Sequence, residues 1–263
     1  MSVLKRLFGR RPEPAPRKAP SSPAAAPQIP FDAPIAPDGP VFVVGDVHGR
    51  HDLMMRLFER IEQIEDTPRV VFVGDYVDRG EQSADVLRTL QGLSAQFGDL
   101  LTCLKGNHEA MMLEFLANPE RAGQRWLRHG GLQTLASFRI SRASDTSMTE
   151  LRDQLRDAMG QDLIDWVTGL PLRWQSGNLA VVHAGADPLV PMDRQSDDVL
   201  MWGTSQFMLT NRMDGVWVAH GHTIVRTPQA QSGRIATDTG AYATGRLTAA
   251  HIVPGDVRFI EAT

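Results

Sequence analysis

The sequence predicts an α/β fold, and three observations carry the prediction. Val41–Val44, Val70–Val73 and Leu101–Leu104 are apolar runs of strand length, mostly unbroken, as expected of strands buried on both faces. Each leads into a glycine-bearing turn rich in acidic, amide and imidazole side chains: Gly45-Asp46-Val47-His48-Gly49, Gly74-Asp75-Tyr76-Val77-Asp78-Arg79-Gly80 and Gly106-Asn107-His108-Glu109. A segment with helical spacing follows each turn. Strand, turn and helix three times over implies parallel strands with right-handed crossovers. In such sheets the chemistry sits at the carboxyl ends of the strands.

The first helix is read from Leu53, Met54, Leu57, Phe58, Ile61 and Ile64, with Asp52 as its N-cap. A second, begun near Ser83, carries Ala84, Val86, Leu87, Leu90 and Leu93, and a third opens with Met111, Met112, Phe115 and Leu116. Residues 118–169 change character. Trp126, Leu127, Leu132, Leu135 and Phe138, interrupted by Gly130-Gly131, and then Met148, Leu151, Leu155 and Met159 form helical faces without a strand signal. The segment reads as a helical insertion that caps the site, its methionines and tryptophans serving as core. Strands return at Leu172–Trp174 and Leu179–His183, joined by a Gly177-Asn178 hairpin turn. Val216–Ala219 leads into His220-Gly221-His222, and three short alternating segments close the chain. An antiparallel second half packed on the first sheet is expected.

Residues 12–40 carry prolines every two to four positions among alanines and serines, too little apolar surface to order a chain. Residues 1–39 are therefore read as a disordered Pro/Ala-rich tail and residues 40–263 as one folded domain. Met1 to Arg11 is basic, with four Lys or Arg, and lacks the long apolar stretch and cleavage site of a secretory signal. It is expected to be a solvated basic start that binds a partner or an anionic membrane surface weakly. No apolar run reaches the roughly 18 residues of a bilayer span, so no stable membrane insertion is expected. A net charge of -4 argues against nucleic acid as partner. The single cysteine, Cys103, lies in an apolar run and reads as core, compatible with a reducing cytoplasm.

Asp46, His48, Asp75, Asn107, His183 and His222 all fall at or just beyond predicted strand ends. They offer carboxylate, amide and imidazole ligands without a thiolate. That set suits Mn²⁺, Fe or Zn²⁺ better than an all-oxygen Ca²⁺ site. Six ligands exceed one tetrahedral site, and two ions sharing a carboxylate account for the number. Arg79 is placed to hold a phosphate bidentately, and His108 to protonate a leaving alkoxide as general acid. His51, His129 and His251 have no such support and read as structural, with His220 a candidate to stand behind the ligands.

The ordered set Gly-Asp-Val-His-Gly, Gly-Asp-Tyr-Val-Asp-Arg-Gly, Gly-Asn-His-Glu, His183-Ala184-Gly185 and His220-Gly221-His222-Thr223 resembles that of the calcineurin-like metallophosphoesterases. Asp78-Arg79-Gly80, Glu109, Trp202 and Asp238-Thr239-Gly240-Ala241 resemble the phosphoprotein phosphatases, in their compact bacterial and phage lambda-type branch. The resemblance implies two mixed β-sheets packed as a sandwich and flanked by helices. It implies two divalent ions, Mn²⁺ first with Fe or Zn²⁺ as alternatives: Asp46 and His48 on one, Asn107, His183 and His222 on the other, Asp75 bridging. A metal-bridging hydroxide would attack phosphorus in line, His108 would be the acid, Asp78 would orient it, and Arg79 with Asn107 would bind the phosphoryl group. The implied substrate is phosphoserine or phosphothreonine, and possible phosphotyrosine, in a protein or peptide. The sister branch, which hydrolyses dinucleoside polyphosphates such as diadenosine tetraphosphate, carries alanine and aspartate at the positions of Asp78 and Glu109. It is the alternative, and a non-catalytic metal-binding scaffold is the second. One departure stands out: the arginine that the phage-type enzymes carry shortly after the tryptophan matching Trp202 is missing from Trp202-Gly203-Thr204-Ser205. Arg212 and Lys105 are the candidates to replace it.

Overall fold

A computed structural model describes residues 30–263. The first sheet has the order β10-β9-β1-β2-β3. β1 (Val41–Val44), β2 (Val70–Phe72) and the edge strand β3 (Leu101–Cys103) are all parallel, with Val43 opposite Val71 and Val71 opposite Thr102. The crossovers are α1 (His51–Glu62) and α2 (Ser83–Phe97), and α3 (Asn107–Ala117) follows β3. The expected strand-turn-helix units are all present. Asp52 is not the N-cap of α1: it lies in the first turn, its carboxylate bound by the Arg50 guanidinium at 2.8 and 2.9 Å.

The second sheet has the order β4-β5-β6-β8-β7. Here β4 (Arg173–Ser176) and β5 (Leu179–Val182) form the hairpin read at Gly177-Asn178. Gly177 has φ +53°, and a Cβ there would lie 2.0 Å from the Ala36 carbonyl, so glycine is required. The strands β6 (Trp217–His220) and β8 (Arg234–Ala236) run parallel to β5, and the antiparallel strands are the two at the edges, β4 and β7 (Gln229–Gln231). The expected antiparallel second half is therefore only partly present. The last two strands, β9 (Leu247–Val253) and β10 (Asp256–Ala262), return to the first sheet, where β9 pairs antiparallel with β1. Alternation along a strand does not reveal which sheet it joins.

The two sheets face each other across Val41, Val43, Val71, Leu179, Val181, Ala219, Ile235 and Ile252. Phe42, Val44, Val70 and Phe72 point the other way, under α1, α2 and the insertion. Ala180, Val182 and Val218 are covered by Met192, Leu200 and Phe207. Both faces of the central strands are thus buried, which is why their sequences are unbroken apolar runs. Each fully buried Phe or Leu contributes about 1.5–3 kcal/mol.

The insertion consists of α4 (Pro119–Trp126), a π-helical turn (Leu127–Gly131), α5 (Leu132–Ser137), α6 (Met148–Met159) and α7 (Gln161–Gly169). It packs with α3 into the core outside the first sheet.

The boundary drawn at Pro40 lies too far along the chain. Residues 30–39 are extended along the second sheet: Ala36 N–H donates to Asn178 Oδ1 at 2.7 Å, Asn178 N–H to the Ala36 carbonyl at 3.2 Å, and Phe31 meets Trp217 edge-on at 5.3 Å. Ile35 is buried there. A segment this rich in proline anchors through isolated contacts, which periodicity does not report. The reading of residues 1–29 as tail lies outside the described residues.

Candidate active site

All the sequence-predicted site residues come together at the carboxyl ends of the strands. Seven non-glycine residues among those described have positive φ, and five are His48, Asp75, Asp78, Arg79 and His222. Left-handed backbone at non-glycine residues is costly and concentrates at functional sites. The rest of the fold holds it in place. His48 N–H donates to the Asp75 carbonyl at 2.8 Å and Gly49 N–H to that of Tyr76 at 2.8 Å, which ties the first turn to the second. From α3, the Glu109 carboxylate accepts from the backbone N–H groups of Asp75, Tyr76, Val77 and Gly106 at 2.8–3.2 Å. Burial and the nearby Asp75 charge push Glu109 up to about 8, while these donors pull it down. With four donors on two oxygens, it acts as a clamp on the turn.

Asp75 lies at the centre. Its Oδ2 is 3.5 Å from His48 Nε2 and 3.9 Å from His108 Nε2, and its Oδ1 is 3.4 Å from His183 Nε2. Two groups of ligand-type atoms, each within 4.8 Å of one another, share it: His48, Asp75 and His108, and Asp75, His183 and His222. Asn107 joins the second group, its Oδ1 lying 2.8 Å from His183 Nε2 and 3.0 Å from His222 Nδ1. Asp46 belongs to neither. Both its oxygens accept from His222 N–H at 3.1 Å, and burial followed by Asp238 and Asp75 drives its carboxyl up. Burial and mutual repulsion raise a group of neighbouring carboxyls in this way.

The donor set fits divalent metal ions. His48 Nδ1 is 2.8 Å from the Val77 carbonyl and His183 Nδ1 is 3.1 Å from that of Val73, so each Nδ1 carries the proton and each Nε2 is a lone pair facing inward. His48 Nε2 is buried with no hydrogen-bond partner, an orphan that a metal would satisfy. Burial lowers all three imidazoles, His183 to about 3 and His222 to about 4, and keeps them in the neutral form that ligates.

Beside this centre, His108 Nδ1 lies 2.6 Å from Asp78 Oδ2, and its Nε2 lies 3.1 Å from an Arg79 guanidinium nitrogen. The insertion holds Asp78. Thr134 Oγ1 donates to Asp78 Oδ1 at 2.7 Å, and Trp126 Nε1 donates to both carboxylate oxygens at 3.1 Å. Burial pushes Asp78 upward and the Thr134 and Trp126 donors oppose it. With its oxygens filled by donors, the ionised form fits this pocket, and the imidazole proton sits on Nδ1. His108 is lowered by burial first, with the Asp75 charge opposing. Gly130 of the π-helical turn presses on the back of Arg79. Its φ is +112°, it accepts from Arg79 N–H at 3.4 Å, and a Cβ there would lie 2.5 Å from that nitrogen.

Sequence reasoning missed three contributors. Trp126 and Thr134 orient Asp78 from the insertion, where a buried tryptophan or threonine reads only as core. Tyr242, in α10 (Ala241–Thr244), lies under the Arg79 guanidinium at 4.9 Å and edge-on to His48 at 5.4 Å. No local pattern marks any of them. Neither candidate for the missing arginine reaches the site. Arg212 is buried, bound to Asp214 and to the carbonyls of Asp187 and Val190, and Lys105 Nζ donates to the Thr168 carbonyl at 2.7 Å. His220 is buried, its Nδ1 3.0 Å from the Gly221 carbonyl and its ring edge-on to Phe207 at 4.9 Å. No helix among the described residues is long and apolar enough to cross a membrane.

Comparison with known proteins agrees with this architecture. Over 94 residues the chain is 39% identical to serine/threonine-protein phosphatase 2 of Escherichia coli, covering 35% of this chain and 38% of that one. The chain thus spans less than half the length of that relative. It is 27% identical over 231 residues to the asymmetrical bis(5'-nucleosyl)-tetraphosphatase PrpE of Bacillus velezensis, covering 78% of this chain and 86% of the relative. A solved structure described as a proposed diadenosine tetraphosphatase superposes with TM-score 0.61 at 22% identity, over 88% of this chain and 99% of the other. At that identity the likeness concerns the fold, two mixed sheets flanked by helices. The family model of the calcineurin-like phosphoesterases matches residues 39–226. With its two ligand groups meeting at Asp75, the chain belongs to this family of metal-dependent phosphoester hydrolases.

Proposed function

We propose that the protein is a cytoplasmic phosphomonoesterase acting on phosphoserine and phosphothreonine in proteins, with phosphotyrosine as a further substrate class. The observation that carries this reading is the His108–Asp78 pair at 2.6 Å, with Arg79 on the other imidazole nitrogen, beside two ligand groups that share Asp75. Asp46 and His48 would hold one divalent ion, Asn107, His183 and His222 the other, and Asp75 both, with Mn²⁺ first and Fe or Zn²⁺ as alternatives. When bound, the pair supplies an activated water and polarises the phosphoryl group.

The chain's own groups do the rest. Arg79, shelved on Tyr242, and the Asn107 amide bind the phosphoryl oxygens. As Arg79 turns to that dianion, it releases His108 Nε2 and stops depressing the imidazole's proton affinity. Nε2 then holds the proton that passes to the leaving oxygen, while Asp78 stabilises the imidazolium through Nδ1. Thr134 and Trp126 fix Asp78 so that only Nε2 faces the substrate.

A second reading is hydrolysis of a dinucleoside tetraphosphate, favoured by the match to the Bacillus relative over most of both chains. Asp78 and its donors favour the first reading, since a monoester with a poor leaving group needs a positioned acid. Phosphopeptides and diadenosine tetraphosphate, each supplied with Mn²⁺, separate the two. Higher kcat/KM on the phosphopeptides is expected, and preference for the nucleotide would transfer the assignment to the second reading.

A further inference from the structure

Arg79 is not the only guanidinium prepared for an anion. Arg125 closes the last turn of α4, one residue before the Trp126 whose indole N–H holds Asp78. Its guanidinium lies over the ring of Trp202 at 5.0 Å. Trp202 ends α8 (Asp197–Trp202), whose Leu200 carbonyl accepts from Ala184 N–H, next to the site residue His183. The contact therefore bridges the insertion and the loops of the second sheet. One turn on from Arg125, His129 places its Nδ1 2.8 Å from the Arg125 carbonyl, and the adjoining Gly130 carbonyl accepts from Arg79 N–H at 3.4 Å. That rim of the insertion faces the reacting groups.

The construction repeats that of Arg79. Each arginine rests its flat face on an aromatic ring, Tyr242 at 4.9 Å or Trp202 at 5.0 Å. Stacking fixes a guanidinium while leaving its N–H edges open to an anion. The Arg125 guanidinium makes no hydrogen bond among the described residues. Its nearest carboxylate, Glu114, is 4.0 Å away, and its side chain is 49% exposed. By contrast Arg212 is sealed by carbonyls and Asp214, and Arg234 by the carbonyls of Phe207, Thr210 and Ser232. Arg125 is stacked, open at its edges and on the rim of the site.

We propose that Arg125 is a second substrate-binding guanidinium, held by Trp202 to grip phosphate oxygens that Arg79 leaves free. The assignment rests on the phosphoesterase reading. The phosphate is either the scissile group or its neighbour in a polyphosphate, and the chemistry of recognition is the same for both.

The test measures KM and kcat for 4-nitrophenyl phosphate and diadenosine tetraphosphate, with inorganic phosphate as competitive inhibitor, on metal-loaded protein. Arg125→Ala is expected to raise KM about tenfold with a much smaller fall in kcat, as for loss of one charge-assisted contact. Arg125→Lys should recover only part of that, because an ammonium lacks the fork. Trp202→Ala should move KM the same way and Trp202→Phe less. A parallel rise in the inhibition constant of phosphate assigns Arg125 to the scissile group, and a KM rise confined to the tetraphosphate assigns it to the neighbour. If Arg125→Ala lowers the melting temperature but leaves every KM and the phosphate constant within twofold, the contact is a strut and the proposal is wrong. Arg79→Ala serves as reference. An effect of Arg79→Ala without one of Arg125→Ala sinks only this inference, whereas a wild type that turns over neither ester sinks the phosphoesterase reading itself.

Discussion

Asp75 has one carboxylate oxygen toward His48 and the other toward His183, and the two metal positions we propose depend on that split. Asp75→Asn removes the charge needed on both sides. We expect turnover to fall by at least about three orders of magnitude, as when a group central to nucleophile and transition state is lost, with weakened binding of both ions. Steady-state kinetics with metal analysis checks this, and near-wild-type activity in a metal-replete variant contradicts it. His108→Asn should behave differently. The ions stay, kcat drops by about 10²–10⁴ as for loss of a general acid, and the decline of kcat at high pH, where Nε2 loses its proton, disappears. Most of this was legible in the sequence, because turns with six complementary ligands point to metal chemistry whatever the fold. Trp126, Thr134 and Tyr242 were not legible. Their roles come from tertiary approach, and a buried indole that donates has the same sequence pattern as one that only fills space.

At the scale of elements, the turns are held by backbone that tolerates little change. Gly106 is the test: a Cβ there would lie 2.2 Å from Asp75 Oδ1 and 2.4 Å from its nitrogen. Gly106→Ala should displace Asp75 and lower metal content while circular dichroism stays close to wild type. Gly130→Ala should act through Arg79, raising KM for phosphate esters more than it lowers kcat. The extended segment before β1 makes a separate prediction. Asn178 joins it to the second sheet by accepting from Ala36 N–H and donating to the carbonyls of Pro34 and Gly215. Asn178→Ala should cost about 0.5–1.5 kcal/mol, the net value of a hydrogen bond that water can replace, read by denaturant unfolding, with kinetics unchanged per folded molecule. Such anchoring was invisible in the sequence, where proline-rich composition obscures isolated contacts. The core strands were read correctly because burial on both faces leaves a continuous apolar signature.

Across the whole molecule, the buried imidazoles set an acid limit. Unfolded histidines take up protons near pH 6.5, whereas burial holds His220 and His222 neutral in the fold to about 4 and His183 to about 3. Between those values these histidines bind more protons in the unfolded chain, so their contribution to stability is intact above pH 6.5 and falls as the pH drops toward 4, while Glu109 and Asp238, pushed by burial up to about 8 and about 6, act in the opposite sense. Protons also compete with the ions for the same lone pairs. The metal-loaded protein should therefore release its ions as the pH falls from 6.5 to 4, read by metal analysis after equilibration at each pH. Full retention of the ions at pH 4 would contradict competition between protons and metal at these imidazoles. Sheet membership escaped the sequence at this scale: β9 and β10 complete the first sheet and β8 joins the second in parallel, choices made by long-range pairing. Metal stoichiometry with phosphatase turnover on the same preparation tests most directly whether two metal positions meet at one carboxylate. Two divalent ions per chain, with 4-nitrophenyl phosphate turnover rising as the second ion loads, is the predicted result, and full turnover with one ion or none would contradict it.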